Sequence, residues 1–129
     1  MHSFCLLVNS SPVDSSSAYT AFRFAESIIK LQHKLNGIFF YQDGIHNTNQ
    51  FANMPSDELN LQQKWAELSR QYAIPMQVCI TAANRRGIIS QQDAEDNDTT
   101  HFNLSFPFES AGLGELIQMM ADSDRVVQF

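Results

Sequence analysis

A chain of 129 residues, 43% hydrophobic and 17% charged, is long enough for one real core and too apolar to stay disordered. Its formal net charge of −6 argues against broad electrostatic binding to nucleic acid or to anionic membranes. Two cysteines, Cys5 and Cys79, give no disulfide framework. The N-terminus shows no signal-peptide pattern and no apolar run is long enough to span a bilayer, so a cytoplasmic setting is the expectation.

Ser3 to Val8 is a short apolar run closed by Asn9-Ser-Ser-Pro12, which predicts a buried first strand with Cys5 packed in its middle. Ser15-Ser-Ser17 offers N-caps for a helix with Ala18, Phe22, Ala25 and Ile29 on one face. The loop between strand and helix holds no glycine, so a phosphate cradle is not specified there. Asn36-Gly37 is expected to break the helix before a second buried strand, Ile38 to Tyr41. The polar stretch Gln42 to Gln50 follows. In it His46 is a candidate acid or base, or else a histidine that is solvent-exposed or braces the loop. The amides Asn47, Asn49 and Gln50 are expected to fix loop geometry or to meet a partner. Ser56-Asp-Glu-Leu59 is read as the opening of the next helix, whose apolar face is Leu61, Trp65, Leu68 and Tyr72.

Pro75 delivers the chain into a third short strand, Met76 to Ile80, followed by a turn of helix that stops at Gly87. Cys79 sits near the strand's C-terminal end, just ahead of the N–H groups that open the helix. In parallel α/β proteins this edge of the sheet is where ligands collect. A helix N-terminus favours negative charge, and therefore the thiolate, which is the reactive form of cysteine. Arg85 and Arg86 either add positive potential or make a surface or intersubunit salt bridge. The other reading of Cys79 is an inert core thiol.

Gln91 to His101 is the most acidic stretch. It lacks the central glycine and closing glutamate of a calcium loop and reads as a solvated loop. His2, His33, His46 and His101 have no zinc spacing with either cysteine, so neither metal nor cofactor is expected. Phe102, Leu104, Phe106 and Phe108 alternate with other residues and form either a strand or an apolar surface for another subunit. Ser110-Ala-Gly-Leu-Gly114 leads into a helix expected to turn Leu113, Leu116, Ile117 and Met120 inward, and Asp124 to Phe129 is a terminal strand. Strands alternating with helices imply βαβ units with right-handed crossovers. The expectation is a single-domain α/β three-layer sandwich over residues 1–129, with a mainly parallel sheet in a flavodoxin-like arrangement.

Four ordered segments carry more than composition. Phe40-Tyr-Gln-Asp-Gly-Ile-His-Asn-Thr-Asn-Gln50, Val78-Cys-Ile-Thr-Ala-Ala-Asn-Arg-Arg-Gly87, Ser110-Ala-Gly-Leu-Gly-Glu-Leu116 and Asp124-Arg-Val-Val-Gln-Phe129 resemble the TusD/DsrE family of sulfur-relay proteins. The likeness covers essentially the whole chain. It departs mildly at Asn84, where the family has a small residue, and in the acidic 93–98 segment, which bears on partner choice. The resemblance implies a DsrE-like fold and a sulfurtransferase subunit in a heterohexamer, two copies each of this chain and of TusB- and TusC-like chains. It implies that Cys79 carries sulfur as a persulfide, taken from a TusA-like donor and passed to a TusE-like acceptor. The sulfur would end on the wobble uridine of certain tRNAs without this chain touching nucleic acid, or serve dissimilatory sulfur oxidation in DsrE-type systems. Such a relay is thiolate exchange and obliges no metal, nucleotide or general base. Two other classes remain open: a non-catalytic scaffold with the same fold, and a small-ligand or nucleotide-binding protein.

Overall fold

The computed structural model describes all 129 residues. Its strands are β1 (Ser3–Val8), β2 (Lys34–Phe40), β3 (Met76–Cys79), β4 (Phe108–Ala111) and β5 (Arg125–Gln128). The α-helices are α1 (Ser17–Lys30), α2 (Leu61–Tyr72), α3 (Ile80–Arg85), α4 (Gln91–Asp96) and α5 (Leu113–Ala121), with a 3₁₀ segment at Gln42–Thr48. All strand pairs are parallel, in the order β4-β3-β2-β1-β5.

That order explains the layering. The chain steps one way from β1 through β2 to β3, and a right-handed crossover at each step puts α1 and α2 on the same face. Returning from β4 to β5 it steps the other way, so the same handedness puts α5 on the opposite face. Trp65 of α2 is fully buried on the first face, edge-on to Phe22 of α1 (5.2 Å) and Phe40 of β2 (5.5 Å). Each such aromatic pair adds about 0.5–1.5 kcal/mol beyond area burial. On the second face Met119 of α5 lies on Gly37, where a Cβ would come within 2.6 Å of the Met119 Cε. A three-layer α/β sandwich results, with its third layer built mainly of one nine-residue helix. No helix is long and apolar enough to cross a membrane.

Four expected boundaries move. α1 ends at Lys30, not at Asn36-Gly37. His33 N–H donates to Ile28 O and Gln32 N–H to Ile29 O, both 3.0 Å, around a left-handed Gln32 (φ 62°). This is a Schellman cap made without glycine. Gly37 instead sits inside β2, one residue after a bulge that shifts the register between Phe4↔Leu35 and Cys5↔Gly37. The extra residue, Asn36, turns its Nδ2 to Asp122 O (3.0 Å) and Ser123 Oγ (2.8 Å) and holds the end of α5. Ser56-Asp-Glu-Leu59 is turn, and α2 starts at Leu61 because Asn60 Oδ1 accepts from Gln63 N–H. The acidic stretch is not all loop: Ser90 Oγ accepts from Asp93 N–H and starts α4, which buries Ala94.

The aromatic stretch divides. Leu104 and Phe108 are buried, whereas Phe106 is 72% exposed. In α5 only Leu116 and Met119 are buried, so the inward assignment holds for Leu116 and fails for Leu113, Ile117 and Met120. Ile117 is 66% exposed. The sheet meets α5 along one narrow seam, and the rest of that apolar helix faces out.

Candidate functional site

The third strand ends one residue earlier than expected: Cys79 is both the last residue of β3 and the N-cap of α3, and Ile80 is already helical. Its backbone is extended (φ −63°, ψ 111°), and its side chain accepts no capping hydrogen bond. Register pairs Cys79 with Ala111, so the Ser110-Ala-Gly segment lies directly beside it. On the other side β2 ends level with Val78, and Tyr41 and Gln42 continue past it. Gln42 is held at φ 50°, a left-handed conformation uncommon for a residue with a side chain.

These pieces enclose a cavity of about 360 Å³. Tyr41 and Gln42 form one wall, Cys79 to Ala82 with Arg85 and Arg86 another, and Ala111 to Leu113 a third. Cys79 is 6% exposed, and that exposed edge belongs to the cavity. The charged side chains on its lining are Arg85 and Arg86, and no carboxylate lines it. Arg86 is engaged: its Nε is 3.1 Å from Asp43 Oδ1 and its Nη1 donates to Ala82 O at 3.2 Å. Arg85 is exposed and makes neither an ion pair nor a hydrogen bond. The two arginines that look alike in sequence therefore differ in role. Glu115 caps the entrance to α5, its Oε2 accepting from Gly112 N–H at 2.8 Å.

His46 does not join Cys79. It lines a separate cavity of about 300 Å³ with Ser11, Asp14, Asn49 and Asn60. Asn47 and Thr48 are fully buried, and Asn47 Nδ2 donates to Ser10 O (3.0 Å) and Gly44 O (2.9 Å). Asn49 Oδ1 accepts from Phe51 N–H and from Asn103 Nδ2. Asn47 and Asn49 thus fix loop geometry. Asn103, which the sequence does not single out, is the hub between this loop and the chain after α3. Its Oδ1 accepts from Ile89 N–H (2.7 Å), its Nδ2 donates to Gly87 O (3.2 Å) and its carbonyl accepts from Gln50 N–H (2.8 Å).

Cys5 is fully buried in β1, and burial pushes its thiol up to about 11. It shares the α5 face of the sheet with Cys79. Two strand spacings and four register positions separate them, roughly 16 Å. A disulfide needs Cα atoms within about 7 Å, so Cys5 is no resolving partner for Cys79. The residues missed in sequence are Tyr41, Gln42, Asp43 and Gly112. Only their presence in the quoted motifs marks them, since their approach to Cys79 depends on strand order.

The fold and the cavity define a class: a parallel α/β domain with a cysteine at the C-terminal edge of its sheet, in a pocket lined by arginine. The DsrE/DsrF-like family model matches residues 2–129. The chain is 41% identical over 126 residues to the sulfurtransferase TusD homolog of Vibrio vulnificus strain CMCP6, covering 98% of this chain and 96% of that one. It is 40% identical to sulfurtransferase TusD of Proteus mirabilis, covering 98% and 97%, and 34% identical to the putative sulfurtransferase DsrE of Allochromatium vinosum, again covering 98% and 97%. The crystal structure of the ychN protein from E. coli superposes with a TM-score of 0.79 at 22% identity over the whole of both chains, a likeness of fold. The chain belongs to the DsrE/DsrF-like family.

Proposed function

We propose that this chain, a sulfurtransferase by its family, accepts sulfane sulfur as a persulfide on Cys79 and hands it to a downstream carrier. The observation that supports this is convergence. Three of the four family-like segments, far apart in sequence, meet around one thiol in a cavity with cationic lining. In the accepting step the Cys79 thiolate attacks the outer sulfur of a donor R–S–SH. The donor S–S bond breaks as the new one forms, leaving Cys79–S–SH and R–S⁻. One negative charge is present before and after, and no external oxidant enters. In the second step the acceptor thiolate attacks the outer sulfur of Cys79–S–SH, and Cys79 leaves as thiolate.

The donor is TusA-like and the acceptor TusE-like, in a cytoplasmic relay that ends on the wobble uridine of tRNA. Identities of about 40% to proteins named TusD, against 34% to a DsrE, favour that destination over sulfur oxidation. Residues 1–129 act as one domain within a heterohexamer with TusB- and TusC-like chains. The outward Leu113, Ile117 and Met120 of α5 and the exposed Phe106 support association, being apolar side chains that a neighbouring subunit would cover.

Intact-protein mass spectrometry after incubation with a persulfidated donor tests the carrier site. Wild type and Cys5→Ser are expected to gain one sulfur atom, and Cys79→Ser none. If no form gains sulfur even with the partner subunits present, the chain is a scaffold.

A further inference from the structure

Arg85 carries a role that the carrier assignment leaves open. The chain as a whole has a net charge of −6, yet the cavity at Cys79 is lined by two cations and no carboxylate. Asp43 neutralises one of them, Arg86. Of the charges on the lining only Arg85 is left unpaired, exposed to solvent and one short helix away from the thiol, while the Glu115 carboxylate is hydrogen-bonded to the lining Gly112 N–H. Arg85 is six residues beyond Cys79, roughly 9 Å along the axis of α3, within the span of an extended arginine approaching the cavity.

We infer that Arg85 is a positioning residue that selects an anionic sulfur donor and speeds sulfur delivery to Cys79. This rests on the carrier reading of Cys79 and adds the charge of the donor to it. Two physical effects act in the same direction. A negatively charged donor approaching a chain of net charge −6 is repelled on average, and a local positive potential at the cavity draws it in. During transfer, the negative charge moves from Cys79 to the departing R–S⁻, and a cation on the cavity lining favours the charge where it arrives. Arg86 cannot substitute, because its guanidinium is already held by Asp43 and the Ala82 carbonyl.

The test compares two small donors of opposite charge, glutathione persulfide and cysteamine persulfide, by the rate of sulfur gain at Cys79. Arg85→Ala is expected to slow the anionic donor roughly fivefold to tenfold at low salt, with the deficit shrinking at high salt. The cationic donor is expected to load no more slowly than with wild type. Arg85→Lys is expected to restore the anionic rate to within about twofold, since steering needs charge rather than a guanidinium fork. Equal slowing of both donors, or no slowing of either, overturns the inference while leaving Cys79 as the carrier. Alkylation of Cys79 by iodoacetate against iodoacetamide reads the same field without sulfur chemistry. If neither these persulfides nor a persulfidated protein donor loads wild type with the partner subunits present, the carrier reading fails, and an unchanged iodoacetate-to-iodoacetamide ratio in Arg85→Ala would sink the electrostatic inference with it. A lowered ratio would keep the positive field at Cys79 while its sulfur role is lost.

Discussion

Trp65 Nε1 donates to Asn47 Oδ1 at 3.2 Å, and both side chains are fully buried. With the two bonds from Asn47 Nδ2 to Ser10 O and Gly44 O, one amide ties the loop after β1, the 3₁₀ segment and α2 together. These are the elements behind the C-terminal edge of the sheet. The loop that supplies Tyr41 and Gln42 to the cavity is tied to its neighbours through the three hydrogen bonds of the Asn47 amide.

Asn47→Ala removes the side-chain partner of the buried indole N–H, of the buried Gly44 carbonyl and of the half-buried Ser10 carbonyl. The expected loss is about 2–3 kcal/mol, the cost of stranding buried polar groups. Urea unfolding of the isolated chain measures it, and a loss below about 0.5 kcal/mol would show that water replaces the amide.

Gly44 is held for space. A Cβ there would stand 1.9 Å from Val8 O and 2.6 Å from Val8 C, both backbone atoms that cannot rotate away. Gly44→Ala is expected to cost more than about 2 kcal/mol, in the range of overpacked cores. Gly114 is the control. It lies in α5 with nothing near its missing Cβ, so Gly114→Ala is expected to be neutral or stabilising by up to about 1 kcal/mol. Thermal melts of the two variants check the contrast.

The outer face of α5 separates folding from association. Leu116→Ala should cost about 2–4 kcal/mol because Leu116 is buried in the core. Ile117→Lys should change the isolated chain by less than about 0.5 kcal/mol, since Ile117 is largely exposed. On the proposed heterohexamer, the same substitution should weaken assembly with the TusB- and TusC-like chains, read by light scattering or co-purification. Full assembly of the Ile117→Lys protein would place the subunit contacts elsewhere.

Cys5 predicts a pH dependence. Burial raises its thiol from 9.0 to about 11 in the folded chain. The unfolded chain therefore loses this proton first. Stability associated with the neutral thiol is fully present below pH 9 and is lost as pH rises through about 11. Denaturant midpoints should fall between those values. Cys5→Ala should be less stable at neutral pH but show a shallower fall, and identical slopes would rule the thiol out as the cause.

The sequence by itself determined the α/β class, the central run of strands and the position of Cys79 at a strand-to-helix junction. It could do so because these follow from local periodicity and from the alternation of apolar runs with turn residues. It misplaced the end of α1 because a left-handed cap usually signals glycine, and here Gln32 takes that conformation while Gly37 yields room to Met119. It turned Ile117 inward because hydrophobicity does not say how wide a seam the sheet offers a helix. The tertiary structure alone decided that Arg86 is paired and Arg85 free, that His46 stands apart from Cys79, and that Ala111 lies opposite Cys79. Each of these depends on strand order and register. Those set distances between residues far apart in the chain, which no local pattern encodes.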